Sequence, residues 1–167
     1  ITAVSDNCPC VQWQDENWEI NTDNDGISKE EEAAAPNSGD ANNDGTIDSI
    51  QNFVSSFVNP VTSKYTVVET DAVCDLNAVS ADAESNKSAQ DSGYAYSTGL
   101  VNFTADCGTP GYTTTVRLIF FDKLSSGLVL RKFNPTTNAY FTIGNATVTD
   151  SVIGGRPALV VTYQIVD

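Results

Sequence analysis

From Tyr65 to Val166 the chain is a succession of short segments in which apolar and polar residues alternate, punctuated by Gly, Pro and Asn. A period of two puts successive side chains on opposite faces of a strand, so this stretch can bury its apolar residues as sheet but not as helix. The segments are 65–70, 73–79, 100–106, 113–121, 129–133, 139–143, 146–152 and 158–166. In the last, Leu159, Val161, Tyr163 and Ile165 face one way and Val160, Thr162 and Gln164 the other. In 113–121 the second half is apolar on both faces, which predicts a central strand covered on two sides. Gly154-Gly155 reads as a hairpin turn joining the last two strands. So many short strands between turns predict an all-β fold, an antiparallel β-sandwich. Residues 80–93 show no periodicity and read as a polar loop.

The composition changes near Pro60. Residues 1–59 are rich in Asp, Asn, Glu and Gly and read as a small acidic appendage; residues 60–167 form the sandwich domain. Within the appendage, Ser28 followed by Glu31 is a capping box, and the alanines after it extend a short helix that Pro36 closes. A second helix is expected over residues 48–58. There Ile50, Phe53, Val54 and Phe57 fall at i, i+3, i+4 and i+7 and would form one apolar stripe against the sandwich.

Two stretches of the appendage carry a metal-binding spacing. One runs from Asn21 through Asp23, Asp25, Gly26 and Ile27 to Glu32; the other runs from Asp40 through Asn42, Asp44, Gly45, Thr46 and Asp48 to Gln51. Set on a twelve-residue calcium loop, each has side-chain oxygens at its first, third and fifth places and Gly at the sixth. The backbone carbonyl of Ile27 or Thr46 would serve at the seventh, and Glu32 or Gln51 stands at the twelfth. Gly is needed because the chain must turn sharply for alternate side chains to converge. Gln51 cannot offer two carboxylate oxygens, so the second loop is expected to rely on Asp48. Asp40, Asp44 and Asp48 drawn to within ~4 Å of one another would repel by roughly 4 kcal/mol per pair at an effective dielectric near 20. A hard cation offsets that repulsion. Calcium suits it better than magnesium, which prefers rigid octahedra and retained waters.

Acidic residues number 22 against 8 basic ones, a formal charge of −14, which disfavours nucleic acid and anionic membranes as partners. There is no His, which removes the usual general base and the commonest zinc ligand. No stretch is long and apolar enough to span a membrane. Starting at Ile1 rather than Met, the chain reads as a matured protein or a fragment. Cys8, Cys10, Cys74 and Cys107 make an even number in an acidic, turn-rich chain, which favours disulfides and an oxidising compartment.

The stretch NTDNDGISKEEEAAAPNSGDANNDGTIDSIQ resembles bacterial thrombospondin type 3 calcium repeats. The remainder of the chain, through VCDLNAV, GLVNFTADCGTPGYTTTVRLIF, LRKFNPTTNAYF and a final VTYQIVD, resembles the choice-of-anchor U domain of bacterial secreted and surface proteins. The resemblance implies surface display on a β-rich fold, without catalysis, and pairs Cys74 with Cys107. For Cys8 and Cys10 a bridge across Pro9, crossed pairing and intermolecular bonds all stay open. The expected function is therefore a non-catalytic, calcium-stabilised extracellular structural or adhesive protein of a bacterial cell surface. In its most developed form it is the repeating subunit of a fibre, self-associating through strand or edge contacts, with a glycan or host-surface ligand as a further partner. The competing expectation is a calcium-dependent carbohydrate-binding module presenting Trp13 and Trp18. The family continues beyond its last strand, and this chain stops at Asp167, so 158–166 is expected to be an edge. Residues 1–4 or a neighbouring subunit would cover an edge of the sandwich.

Overall fold

The computed structural model describes residues 23–125 and 127–166. Expectations for Asn21, for Cys8 and Cys10, for Trp13 and Trp18 and for residues 1–4 lie outside them. The described chain forms β1 (Val54–Asn59), β2 (Lys64–Glu69), β3 (Asp75–Asp82), β4 (Leu100–Asp106), β5 (Thr113–Phe121), β6 (Arg131–Asn134), β7 (Ala139–Thr142), β8 (Thr147–Ile153) and β9 (Arg156–Val166). Every pairing is antiparallel. One sheet has five strands in the order β1-β2-β5-β9-β8, and β3-β4 and β6-β7 each form a two-stranded sheet. The fold is all-β, as the alternation predicts.

The inner strands of the five-stranded sheet are buried on both faces. On one, Val116, Leu118 and Phe120 of β5 join Phe57, Val68, Leu159, Val161 and Tyr163 and pack against Leu76, Val79 and Ala81 of β3. On the other, Ile119 and Phe121 join Val54, Val67, Ala158 and Val160 and receive Ala35 and Ala41 of the acidic segment. The second acidic loop and the residues before it therefore roof one side of the sheet, while Ile27 of the first loop enters the core on the other. β5 is central, which is why both parities of its second half are apolar. The turn from β8 to β9 has Gly154 and Gly155 at φ 54° and 80°, the paired left-handed conformation of a tight hairpin.

Three sequence expectations change. Residues 48–58 are not a helix: a 3₁₀ turn spans Asp48–Ile50, and β1 begins at Val54. Val54 and Phe57 are buried as the stripe requires, but Ile50 is 59% exposed. Pairing with β2 satisfies the backbone of 54–59 and buries Ser55, Ser56 and Asn59 too, which a one-sided helix would have left in water. Pro60 therefore sits in the turn between β1 and β2, and the sheet extends across the change of composition. Finally, 158–166 is not an edge, because β9 lies between β5 and β8.

Cys74 and Cys107 are joined and close the end of the β3-β4 pair where Asp75 faces Asp106. With a sequence separation of 33, the bond should contribute roughly 3–4 kcal/mol by restricting the unfolded chain. Replacing both by Ser is expected to lower the urea midpoint accordingly without changing far-ultraviolet dichroism. An unchanged midpoint would mean the unfolded ensemble is already held together there.

Candidate metal centre

The helix α1 (Lys29–Ala33) begins where the capping box places it, with the Ser28 hydroxyl accepting from the Glu31 N–H at 3.2 Å. It projects Glu31 and Glu32 toward β1, which is an edge strand. Ser56 N–H donates to Glu32 Oε1 at 3.3 Å, and Val58 N–H donates to Glu31 Oε1 at 2.7 Å. The Tyr65 hydroxyl donates to the Glu31 carbonyl at 2.8 Å. Two carboxylates thus occupy the outward N–H groups of an edge that would otherwise offer itself for pairing. Sequence reasoning assigned Glu31 only to the capping box. No local signal marks its second partner, which comes from 27 residues further along the chain.

The two acidic loops share a backbone path at their middle places. Their fourth places, Asn24 and Asn43, have φ of 71° and 61°; their sixth places, Gly26 and Gly45, have φ of 102° and 97°. Residue seven donates to the carboxylate of residue five in both: Ile27 N–H to Asp25 Oδ1 at 2.7 Å, and Thr46 N–H to Asp44 Oδ1 at 2.8 Å. Gly at the sixth place is what permits this path, since a Cβ there is strained at such φ.

In the first loop Asp23, Asp25 and Glu32 converge, with one oxygen from each lying within 4.8 Å of the others. All three are buried, Asp25 and Glu32 almost completely. Burial, then the neighbouring Asp25 and Asp23, push the Glu32 carboxyl up to about 9, and burial with Asp25 pushes Asp23 up to about 6. The loop is anchored rather than free: Val79 N–H of β3 donates to the Asp25 carbonyl, and the Ile27 side chain enters the core.

The second loop is tied by its own hydrogen bonds. Asp40 accepts from the N–H groups of Asp44 and Gly45, each at 3.0 Å, and Asp44 Oδ2 accepts from Gln51 Nε2 at 2.8 Å and from Asn42 Nδ2 at 3.2 Å. Its three acids do not gather as those of the first loop do; among the described residues the Asp23, Asp25 and Glu32 group is the one so assembled. Asp48 is fully buried, with Oδ2 accepting from Ala41 N–H at 3.1 Å, and burial pushes its carboxyl up to about 6. Among the described residues, Asp48 Oδ1 and Gln51 Oε1 are buried acceptors without a hydrogen-bond partner. Native proteins rarely leave such atoms unmatched, and each costs about 1–3 kcal/mol unless something binds it. The first loop thus assembles a hard, oxygen-only donor set of the kind calcium takes, while the second carries oxygen donors without drawing its acids together. Asp48 also adds to the charge felt by Glu32, so the two loops act electrostatically on each other.

No protein-family model matches the chain, and no curated protein or solved structure matches it either.

Proposed function

We propose that this is a non-catalytic, calcium-stabilised structural or adhesive protein of a bacterial cell surface, whose subunits associate into a fibre. The observation that carries the reading is the convergence of Asp23, Asp25 and Glu32 in a buried site, with Glu32 raised to about 9. Such a group of carboxylates is costly by itself and favourable around a divalent cation. In the first loop the ligands would be Asn21, Asp23, Asp25, the Ile27 carbonyl and Glu32. In the second they would be Asp40, Asn42, Asp44, the Thr46 carbonyl, Asp48 and Gln51. The bound ion would supply positive charge to the roof of the sheet and hold α1 against edge strand β1. Its work is therefore structural.

Calcium titration followed by calorimetry, on protein first freed of divalent ions, tests this. Two sites per chain are expected, with the tighter one lost in Asp25→Asn and the weaker one in Asp48→Asn. Magnesium should compete poorly. Absence of any heat and of any thermal shift at millimolar calcium would remove the metal from the reading. Electron microscopy of native material before and after chelation then separates fibres from single particles.

A further inference from the structure

The two small sheets are separated by a cleft of about 770 Å³. Its floor is the core face of the large sheet, including Phe120 and Tyr163; Val101 and Phe103 of β4 form one wall, and Leu130 and Phe133 form the other. Among the described residues β4 pairs only with β3 and β6 only with β7, and both strands line this cleft where β3 and β7 do not. Two-stranded sheets are marginal by themselves. Open strand edges beside an apolar floor are a template for another strand. Filling the gap with one extended segment would join β3-β4 and β6-β7 into a five-stranded layer facing the existing five-stranded sheet.

Charge narrows the choice of occupant. In a chain with 22 acidic residues, no Asp or Glu among the described residues lines the cleft, while Lys87, Arg131 and Lys132 stand around it. Lys87 and Arg131 are already paired with Asp82 and Asp91, at 3.0 and 2.7 Å, and Lys132 is exposed. The two ion pairs cancel, and Lys132 leaves the cleft mouth with a net positive charge that favours an acidic segment. Residues 1–22 contain Asp6, Asp15, Glu16 and Glu19 and no Lys or Arg, and Ile1, Val4, Val11 and Trp13 could seat on an apolar floor. Extended, 22 residues span up to about 70 Å. They precede a loop bonded to β3 through Val79, whereas the cleft opens beyond the opposite edge of β4. Reaching the cleft of a second molecule avoids crossing the β3-β4 pair.

We infer that the cleft between β4 and β6 receives residues 1–22 of a second copy of this chain as an added strand. The inference rests on the reading of the protein as a self-associating subunit and specifies the joint. Backbone hydrogen bonds to both edges supply affinity, and the apolar floor sets register.

The full chain carrying a photoreactive benzoylphenylalanine in place of Phe103 is made in light and ¹⁵N-labelled forms, mixed under dissociating conditions, reassembled and irradiated. Cross-links from position 103 to residues 1–22 are expected, a fraction of them joining light to heavy chains. Ala105→Trp, which fills the cleft, and the exposed Lys132→Glu are each expected to raise the concentration for half-assembly, the former by about tenfold or more. Thermal melting of both variants confirms that they fold, and Lys132→Glu stands alone if the larger change does not. Cross-links confined to chains of one isotope would mean a molecule fills its own cleft and would overturn the inference. Assembly with cross-links elsewhere would also overturn it while leaving the fibre reading intact. So would an amphiphile retained in the cleft by native mass spectrometry with no cross-link to residues 1–22. A monodisperse monomer at every concentration would end the fibre reading itself.

Discussion

Freed of divalent ions, the protein is expected to be more stable at pH 5 than at pH 8, the reverse of what its calcium-loaded form should show. Glu32 is raised from 4.5 to about 9 in the folded state, so between those values the unfolded chain has released a proton that the folded chain keeps. Stability from a raised carboxyl is full below the unfolded value and is lost as the pH climbs toward the folded one. Asp23 and Asp48, raised from 3.8 to about 6, add the same trend between pH 4 and 6. Each tenfold difference in proton affinity between folded and unfolded chain corresponds to about 1.4 kcal/mol, so the fall across the window should amount to a few kcal/mol. Against the pull of burial, hydrogen bonds from Gln51 and Thr46 hold Asp44 below the usual value, and those from Tyr96 and Arg131 do the same for Asp91. These two act in the opposite sense only under about pH 4. Calcium requires the carboxylates deprotonated, so binding should release protons and gain strength as the pH rises. Thermal melts with and without calcium at pH 5 and pH 8 measure the crossing. Glu32→Gln should flatten the metal-free profile and abolish the calcium gain at the first loop. A metal-free protein that melts lower at pH 5 than at pH 8 would mean the buried carboxylates are already neutralised by something other than protons.

Phe121→Ala should cost about 3–5 kcal/mol, the range for emptying a buried aromatic site. Phe121 is 2% exposed and lies on the sheet face that receives Ala35 and Ala41, with the Arg156 guanidinium 5.3 Å from its ring. The loss should extend beyond stability. The acidic segment rests on this face, so apparent calcium affinity should weaken in the same variant, because metal binding is then linked to redocking the loops. Val152→Ala, on a side chain 69% exposed, is the control and should stay within about 0.5 kcal/mol. Urea melts and calcium titrations of the two variants make the comparison. If Phe121→Ala lowered the melt but left calcium affinity untouched, the loops would be holding their shape without the sheet.

Much of this protein is legible in local chemistry alone. The period-two segments 100–106 and 113–121 coincide with β4 and β5, and the others fall within a few residues of β2, β3, β6, β7, β8 and β9, because alternation reports directly which face of a strand is dry. Ser28 caps α1 and Gly154-Gly155 turns the last hairpin because cap and turn geometry depend on adjacent residues alone. The repeated positive φ at the fourth and sixth places of both acidic loops follows the same rule. Residues 50–59 mark the limit of such reasoning. Their stripe suits a helix, and only pairing with β2 and the carboxylates of Glu31 and Glu32 makes the strand better, through partners the local sequence does not contain. The same holds for β9, whose interior place is set by β8 folding back along it. Spacing alone named Asp23, Asp25 and Glu32 together, but their burial, and with it the raised affinity of Glu32 for a proton, exists only because the tertiary fold sets the loop between β1 and β3. Burial is a property of what comes from elsewhere in the chain, and no window of sequence contains it.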